Sequence, residues 1–462
     1  MIVYKFGGAL ARSKRGLEAL VRILDEAQKR EAIRARRAAT GQSGIVLVAS
    51  AIGHTTRYLA RAAELAEEGR LKEAEDVLSR TVAQHEQLAA TLRLDREAAL
   101  FERFESISNQ TASLLEGIAI VRELSLRTRD AVLAQGELLA TALIEALLKD
   151  RGIPVRFIDA RNIIVTDETF GHAVPNIKET GARTERAILP ALRRSEVALV
   201  PGFIGATRDG ITTTMGSESS DLSATLLASV LGATEVIIWK MLPGLYTADP
   251  EFVKAPKLIR TLTFDEAEEL GRRGARVLFP AFAHPLRSGT TSLRIGTPFS
   301  KTFRHTVLQQ ELPDAGRPTK PLALAIEQRL VPVTIEASKE PAGRLRQSQT
   351  QHISNLHAMG ILSWTTASES NILIRKEDRR AAIAELQAGD FHFSEGPPVS
   401  AVSLLLRKNG SDTTEFVSGM GRSLRSFRLY GILPVENSLV AIVQDSEGIP
   451  ALRKLHRDVF GR

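Results

Sequence analysis

The chain alternates between short, mostly apolar runs and longer stretches in which apolar residues return every three or four positions. Ile2–Phe6, Gly44–Ala49, Val155–Asp159, Val197–Pro201 and Val236–Trp239 are the short runs, and they predict strands buried on both faces. Helical spacing predicts helices over Gly16–Arg37, Thr56–Leu94, Asp95–Leu126, Arg127–Arg151 and Ser220–Leu231. In the second of these, Leu59, Ala63, Leu65 and Ala66 carry the pattern. Strands alternating with helices predict an α/β fold on a mostly parallel sheet.

Past Pro298 the texture changes. Arg304–Pro321 is polar, holds Pro313, Gly316, Pro318 and Pro321, and reads as a linker. Beyond it, Leu322–Gln387 suggests strand, helix, strand, helix, and Val399–Phe460 repeats that order more loosely after Gly396–Pro398. The expected division is a front domain over residues 1–300, a linker over 301–321, and two small modules over 322–395 and 396–462.

Length agrees with more than one domain, since 462 residues is about three times a ~150-residue unit. Hydrophobic residues at 43% and charged residues at 25% exclude wholesale disorder. The net charge of +7 is small for this length, so a nucleic-acid role would need a basic patch. The densest basic run is Lys29, Arg30, Arg34, Arg36 and Arg37; no aromatic residue interleaves it, and it reads as a solvated helix face. The chain has no cysteine, which excludes a disulfide scaffold, a thiolate nucleophile and Cys-ligated metal. No leader pattern opens it and no stretch of ~18 uninterrupted apolar residues occurs, so a cytoplasmic protein without a membrane span is expected.

Two glycine-bearing stretches can carry phosphate chemistry. Lys5-Phe6-Gly7-Gly8 ends the first strand with a cation and two residues without Cβ, which lets backbone amides approach an anion. Gly202–Gly205 and the Gly/Ser/Thr run from Thr212 to Asp221 lead into the helix at Ser220. There Ser220 or Asp221 is either a plain N-cap or part of an anion site. Thr56 is open to the same two readings, Glu137 to a helix-dipole role at a helix start or a ligand role, and Phe203 and Tyr246 to packing or binding.

The motifs Lys5–Gly8, Ser50–Thr56, Gly136-Glu137, Gly202–Gly205, Thr212–Asp221, Ile238-Trp239 with Gly244–Pro250, and Gly274–Pro280 occur in one order. That order and spacing resembles the aspartate kinases of the amino-acid-kinase fold over roughly residues 1–300. The resemblance implies a three-layer α/β sandwich followed by two ACT-type, ferredoxin-like α+β modules, the second of them shortened between Gly421 and Leu433. It implies transfer of the ATP γ-phosphoryl to the side-chain carboxylate of L-aspartate, with Mg²⁺, at the entry to lysine, threonine and methionine synthesis. By position, Lys5 and Asp221 would be catalytic, Asp221 organising Mg²⁺ and lysine, with Gly7 and Gly8 as backbone donors. Ser50, Thr56, Glu137, Phe203 and Ser220 would bind aspartate, Glu137 answering its ammonium. Lys240, Tyr246, Asp249 and Arg276 would lie on the nucleotide side. Lysine or threonine would be effectors at the ACT-type modules of a homo-oligomer, without nucleic-acid or membrane partners.

Several positions depart from that pattern. The usual Gly-Arg-Gly-Gly-Ser-Asp is Gly216-Ser217-Glu218-Ser219-Ser220-Asp221 here, and the usual Trp-Thr-Asp is Trp239-Lys240-Met241. Either another arginine, Arg208 or Arg183, meets the substrate carboxylate, or the chain is a re-specialised relative that senses amino acids.

Overall fold

The computed structural model describes residues 1–37, 44–216, 219–275, 282–287, 289–300, 305–311, 319–336, 360–365, 369–376, 378–407 and 413–461. The chain divides into two compact units. One comprises Met1–Leu245, Arg260–Phe264 and Ala281–Glu311, and the other Tyr246–Ile259, Asp265–Pro280 and Leu312–Arg462.

The first unit is built on strands β1 (Ile2–Phe6), β2 (Ile45–Ala49), β3 (Val155–Phe157), β4 (Val197–Pro201), β7 (Glu235–Trp239), β8 (Thr261–Thr263), β9 (Ser292–Gly296) and β10 (His305–Gln309). They pair in the order β3-β4-β2-β1-β7-β9-β10-β8, all parallel except β9 with β10. Every residue of β1, β2 and β4 is buried. Successive side chains of a strand point to opposite faces, so helices cover the sheet on both sides, as the unbroken apolar runs require. A two-stranded antiparallel ribbon, β5 (Ile204–Ala206) with β6 (Thr212–Thr214), stands apart from this sheet.

The helices are α1 (Gly8–Ala11), α2 (Lys14–Arg37), α3 (Thr55–Glu67), α4 (Leu71–Thr91), α5 (Ala98–Val121), α6 (Leu126–Asp150), α7 (Ile177–Arg193) and α8 (Ser220–Val230). The stretch expected as one helix from Thr56 to Leu94 is two. Gly69, at φ +78°, ends α3, with its amide and that of Arg70 returning to the carbonyls of Ala66 and Leu65. Helix α6 is apolar nearly all round because it is a core helix. By length and composition it could cross a membrane, but 83% of its most apolar window is buried inside the protein.

His305–Gln309, expected in the linker, is a sheet strand instead. Its alternation of buried Thr306 and Leu308 with half-buried neighbours gives it one face for the core, a pattern the surrounding prolines obscured. Lys29 and Arg30 pair with Asp25 and Glu26 one turn back, at 2.6 and 3.8 Å, which makes that part of the basic run a solvated helix face.

In the second unit, β11 (Lys320–Glu336), β12 (Gly360–Thr365), β13 (Glu369–Ile374), β14 (Phe393–Glu395), β15 (Val399–Arg407), β16 (Leu429–Val435) and β17 (Ser438–Gln444) form one antiparallel sheet. The two expected modules therefore share a strand. β11 pairs with β15 up to Leu330, then passes between β13 and β14 from Val331 onward. The change of partner falls at a register shift beside Arg329, a non-glycine residue at φ +57° whose amide is held by Asp445 Oδ1 at 2.7 Å. Separate apolar cores persist on this common sheet. Val333, Ile335, Ile372, Ile374 and Leu386 make one, and Leu324, Leu404, Leu424, Leu439, Leu452 and Leu455 belong to another. The second module is not shortened at its helix: Thr414–Leu424 starts ahead of Gly421, so only a short turn is needed before β16.

Gly8 is the tightest glycine near the carboxyl end of β1. A Cβ there would lie 2.0 Å from the Ala51 carbonyl oxygen. Gly8→Ala should lower unfolding stability in urea by about 2 kcal/mol or more, the scale of an overpacked core site, and an unchanged midpoint would contradict this close approach.

Candidate active site

Lys5 stands on the central strand β1, in register with Val48 of β2 and Ile238 of β7. Asp221 lies in the first turn of α8, where a helix favours an acidic side chain. Lys240 directly follows β7, held there by its amide on the Gly296 carbonyl at 2.8 Å. These three elements converge so that Lys5 Nζ lies 2.9 Å from Asp221 Oδ1 and Lys240 Nζ 2.9 Å from Oδ2. The Asp221 and Lys5 side chains are 1% and 8% exposed, and that of Lys240 is 20% exposed. Two ammoniums gathered on one carboxylate at the edge of a dry interior are a setting that suits an anionic ligand. Burial opposes ionisation of Asp221, yet the charges of Lys240 and Lys5 outweigh it and hold the carboxyl below the usual aspartate range.

Glu137 lies well inside α6, not at a helix start, because the helix runs unbroken from its Ser125 cap. The dipole reading therefore fails for it. Gly136 beside it lets α6 approach Ala51 and Thr55: a Cβ would meet their side chains at 3.3 and 3.2 Å. Glu137 Oε1 accepts from the Ala51 amide at 3.3 Å, while the buried Oε2 has no partner. Burial raises its pKa to about 8, against the opposing pull of the Ala51 amide and of Lys5. A buried carboxyl with one unmatched oxygen is a place for a cationic ligand group.

Phe203 links β4 to β5 with φ +68°, a region costly for an aromatic residue. Its amide is held by Ser223 Oγ at 2.9 Å and its carbonyl accepts from Met215 at 3.0 Å. Ser220 opens α8 and is buried. Gly202 makes room for it, since a Cβ on Gly202 would stand 2.7 Å from Ser220 Cβ. Ser219 Oγ at the same helix end is buried and unpartnered. Ser50 follows β2 with its amide on Phe6, half-buried, and Thr56 is a half-buried residue in the first turn of α3. Thr56 is not the cap of α3: His54 holds that position, and it is Thr55 Oγ1 that returns to the Ile52 carbonyl at 2.7 Å.

The glycines after Lys5 differ in what they offer. Gly7 gives its amide to the Trp239 carbonyl at 3.2 Å, so it is not the free donor expected of it. Gly8 provides close approach to the 51–53 turn. Arg208, one of two arginines considered for a substrate carboxylate, is exposed and ion-paired with Glu179. Tyr246 and Asp249 belong to the second unit. Tyr246 bridges to Leu258, and Asp249 Oδ1 accepts from the Glu251 amide at 2.8 Å, closing its own turn. Arg276, Ser217 and Glu218 lie outside the described residues.

A lysine ammonium stands 2.9 Å from each oxygen of Asp221, which disfavours a protein-held Mg²⁺ there, although only Lys240 hydrogen-bonds and Oδ1 has no hydrogen bond. Among the described residues no cluster of three or more His, Asp or Glu could hold a metal ion. Asp130 escaped the sequence reading. This fully buried carboxylate in α6 accepts from the amides of Gly171 and Thr214 at 2.9 and 2.8 Å and from Thr214 Oγ1 at 2.6 Å. It pins β6, and its only signal in sequence was an acid near the start of a largely apolar helix.

Because folded Glu137 holds its proton to about pH 8 while its ordinary value is 4.5, the folded state binds more protons across that window. Its contribution to stability is complete below pH 4.5 and falls as pH rises towards 8. Urea unfolding at pH 5 and pH 8 should show a smaller loss of stability in Glu137→Gln than in the parent chain; equal losses would count against the buried, protonated carboxyl.

The profile of the amino acid kinase family matches residues 1–297. Lysine-sensitive aspartokinase 3 of Escherichia coli (strain K12) is 34% identical over 240 residues, covering 52% of this chain and 52% of that one. Aspartokinase 1, chloroplastic, of Arabidopsis thaliana is 32% identical over 267 residues, covering 57% of this chain and 46% of that one. The chain thus spans about half the length of these two curated relatives. Over the whole chain, the fold matches E. coli aspartokinase III in complex with aspartate and ADP, with a TM-score of 0.80, 23% identity and 100% of both chains covered. Clostridium acetobutylicum aspartate kinase matches with a TM-score of 0.70 at 15% identity, over 99% of this chain and 100% of that one. The α/β sheet unit with its antiparallel companion is therefore an aspartokinase-type fold, and the chain belongs to the amino acid kinase family.

Proposed function

We propose that the protein is an aspartate kinase, phosphorylating the side-chain carboxylate of L-aspartate with ATP to give 4-phospho-L-aspartate. The observation that carries this reading is the Lys5–Asp221–Lys240 arrangement, with the buried carboxyl of Glu137 as a second polar locus in the same unit. Support comes also from the named aspartokinases at about a third identity and from a fold likeness to one solved with aspartate and ADP.

A carboxylate nucleophile is already anionic at neutral pH, so no general base is needed. What the reaction needs is alignment and neutralisation of the transferring phosphoryl. Lys5 and Lys240 supply two positive charges for it, and Asp221 fixes their positions without binding the phosphate itself. Lys240 is the more exposed of the two. It restores in a new position a cation that the loop lacks at Ser217. Divalent metal, if the reaction uses Mg²⁺, comes with the nucleotide phosphates. Ser50, Thr56, Phe203 and Ser220 line the proposed aspartate side, and Tyr246, Asp249 and Arg276 are assigned to nucleotide by resemblance.

Glu137 would pair with the aspartate ammonium. An empty site holds it protonated to about pH 8, so aspartate binding expels a proton and should strengthen as pH rises towards that value. The pathway place is the entry to lysine, threonine and methionine synthesis in the cytoplasm. Feedback by lysine or threonine would act through the two ACT-type halves of the second unit in a homo-oligomer.

Coupled ADP release or hydroxamate formation with L-aspartate tests the reading. Lys5→Ala and Lys240→Met should each lower kcat by about 10²–10³-fold, as loss of a preorganised charge does. Glu137→Gln should mainly raise KM for aspartate and flatten its pH dependence. Turnover of glutamate or another acid in place of aspartate would assign a different substrate, and no turnover with ATP would return the chain to an amino-acid-sensing role.

A further inference from the structure

Helix α6 carries a second buried carboxyl besides Glu137. Asp130 precedes it by seven residues, which is two helical turns, so the two share a face about 10 Å apart along the axis. The three hydrogen bonds that Asp130 accepts all come from outside its own helix: from the amides of Gly171 and Thr214, and from Thr214 Oγ1. Taking a carboxyl out of water is costly unless donors offset it, and here those donors belong to one loop and one strand.

Thr214 is held at every polar atom. Asp130 takes its amide and its hydroxyl, and its carbonyl accepts from the Ala173 amide at 2.9 Å. The loop that supplies Ala173 and Gly171 is closed by Asp167 Oδ1, which accepts from the Thr169 and Val174 amides at 3.1 and 2.9 Å.

This anchoring reaches the residue whose backbone is strained. Thr214 faces Ile204 across the β5–β6 ribbon, and the next residue, Met215, donates its amide to the Phe203 carbonyl at 3.0 Å. Phe203, at φ +68°, persists in that costly region because its surroundings hold it there. Ser223 Oγ holds the amide, and Met215 holds the carbonyl from the strand end that Asp130 fixes. Two turns along the same face of α6, Glu137 accepts from the Ala51 amide, next to Ser50. One helix therefore anchors both the turn after β2 and the ribbon after β4, and the rise of that helix sets their separation.

We propose that Asp130 is a positioning residue of the amino-acid site: it fixes Thr214 and, through Met215, the Phe203 backbone at a set distance from Glu137. The inference rests on the aspartate-kinase reading for the identity of its ligand, L-aspartate.

Calorimetric titration of the full chain with L-aspartate, and separately with ATP and Mg²⁺, tests it beside turnover measurements. Asp130→Ala should weaken aspartate binding about tenfold or more, as loss of a buried hydrogen-bonded anchor does, and leave ATP affinity unchanged. Asp130→Asn keeps an oxygen for the two amides and an NH₂ for Thr214 Oγ1, so it should recover most of the lost affinity. Thr214→Val removes a single bond and should weaken aspartate detectably, again without an effect on ATP. The proposal is overturned if the parent chain binds no aspartate, or if Asp130→Ala binds it as the parent does. Equal weakening of aspartate and ATP, or an asparagine variant as impaired as the alanine one, would reduce Asp130 to a general structural role and also overturn it. Should Asp130→Ala not fold, Thr214→Val decides, and unchanged aspartate affinity there counts against the proposal. Aspartate binding without turnover defeats the kinase reading alone, since the affinities of the variants still test the role of Asp130.

Discussion

The carboxylate of Asp221 sits in an almost dry interior with an ammonium on each oxygen, and much of the first unit is arranged around that fact. A buried charge of either sign is costly unless matched, and here the match is deliberately uneven: one negative charge and two positive. β1 and β7 must be neighbours for Lys5 and Lys240 to reach the same acid, and α8 must begin where β4 ends. Gly202 permits that last approach, because any side chain there would collide with Ser220. Two cations gathered on one buried acid are the kind of setting that a phosphoryl-transfer site requires, and this is the ground of the proposed function.

Glu137 is the complementary case. It too is buried, and that burial, with no cation hydrogen-bonded to offset it, keeps it protonated near neutrality instead of ionised. The protein thus holds two carboxyl groups in opposite states by their surroundings alone: Asp221 beside two cations, Glu137 against an amide and an apolar helix packing. In the proposed function the first organises the phosphoryl side and the second meets the substrate ammonium. A zwitterionic amino acid with a second carboxylate offers both charges to such a pair.

The second unit shows how a single strand can serve two cores. β11 is long enough to belong to both halves, and the bulge at Arg329 turns it from one set of partners to the other. Each half has an apolar cluster of its own, and a third cluster, with Leu362 and Leu373 of one half and Val399, Val440 and Ile442 of the other, joins them.

The sequence by itself determined the order of strands and helices in the first unit, because a strand buried on both faces must be apolar throughout and a helix must repeat its apolar face. It also put Lys5 forward, as a cation before two glycines, and Asp221, in a hydroxyl-rich loop at a helix start, while Glu137 stood out through the resemblance in motif order. Boundaries set by one residue escaped it: Gly69 divides a helix by adopting a positive φ, and polar neighbours hid His305–Gln309 as a strand. Tertiary structure alone decided which donors are engaged. It showed that Gly7 already serves Trp239, that Arg208 serves Glu179, and that Lys240 reaches Asp221. Such pairings depend on distances between segments far apart in the chain, and residue spacing carries no record of them. Asp130 and the shared strand β11 were hidden for the same reason.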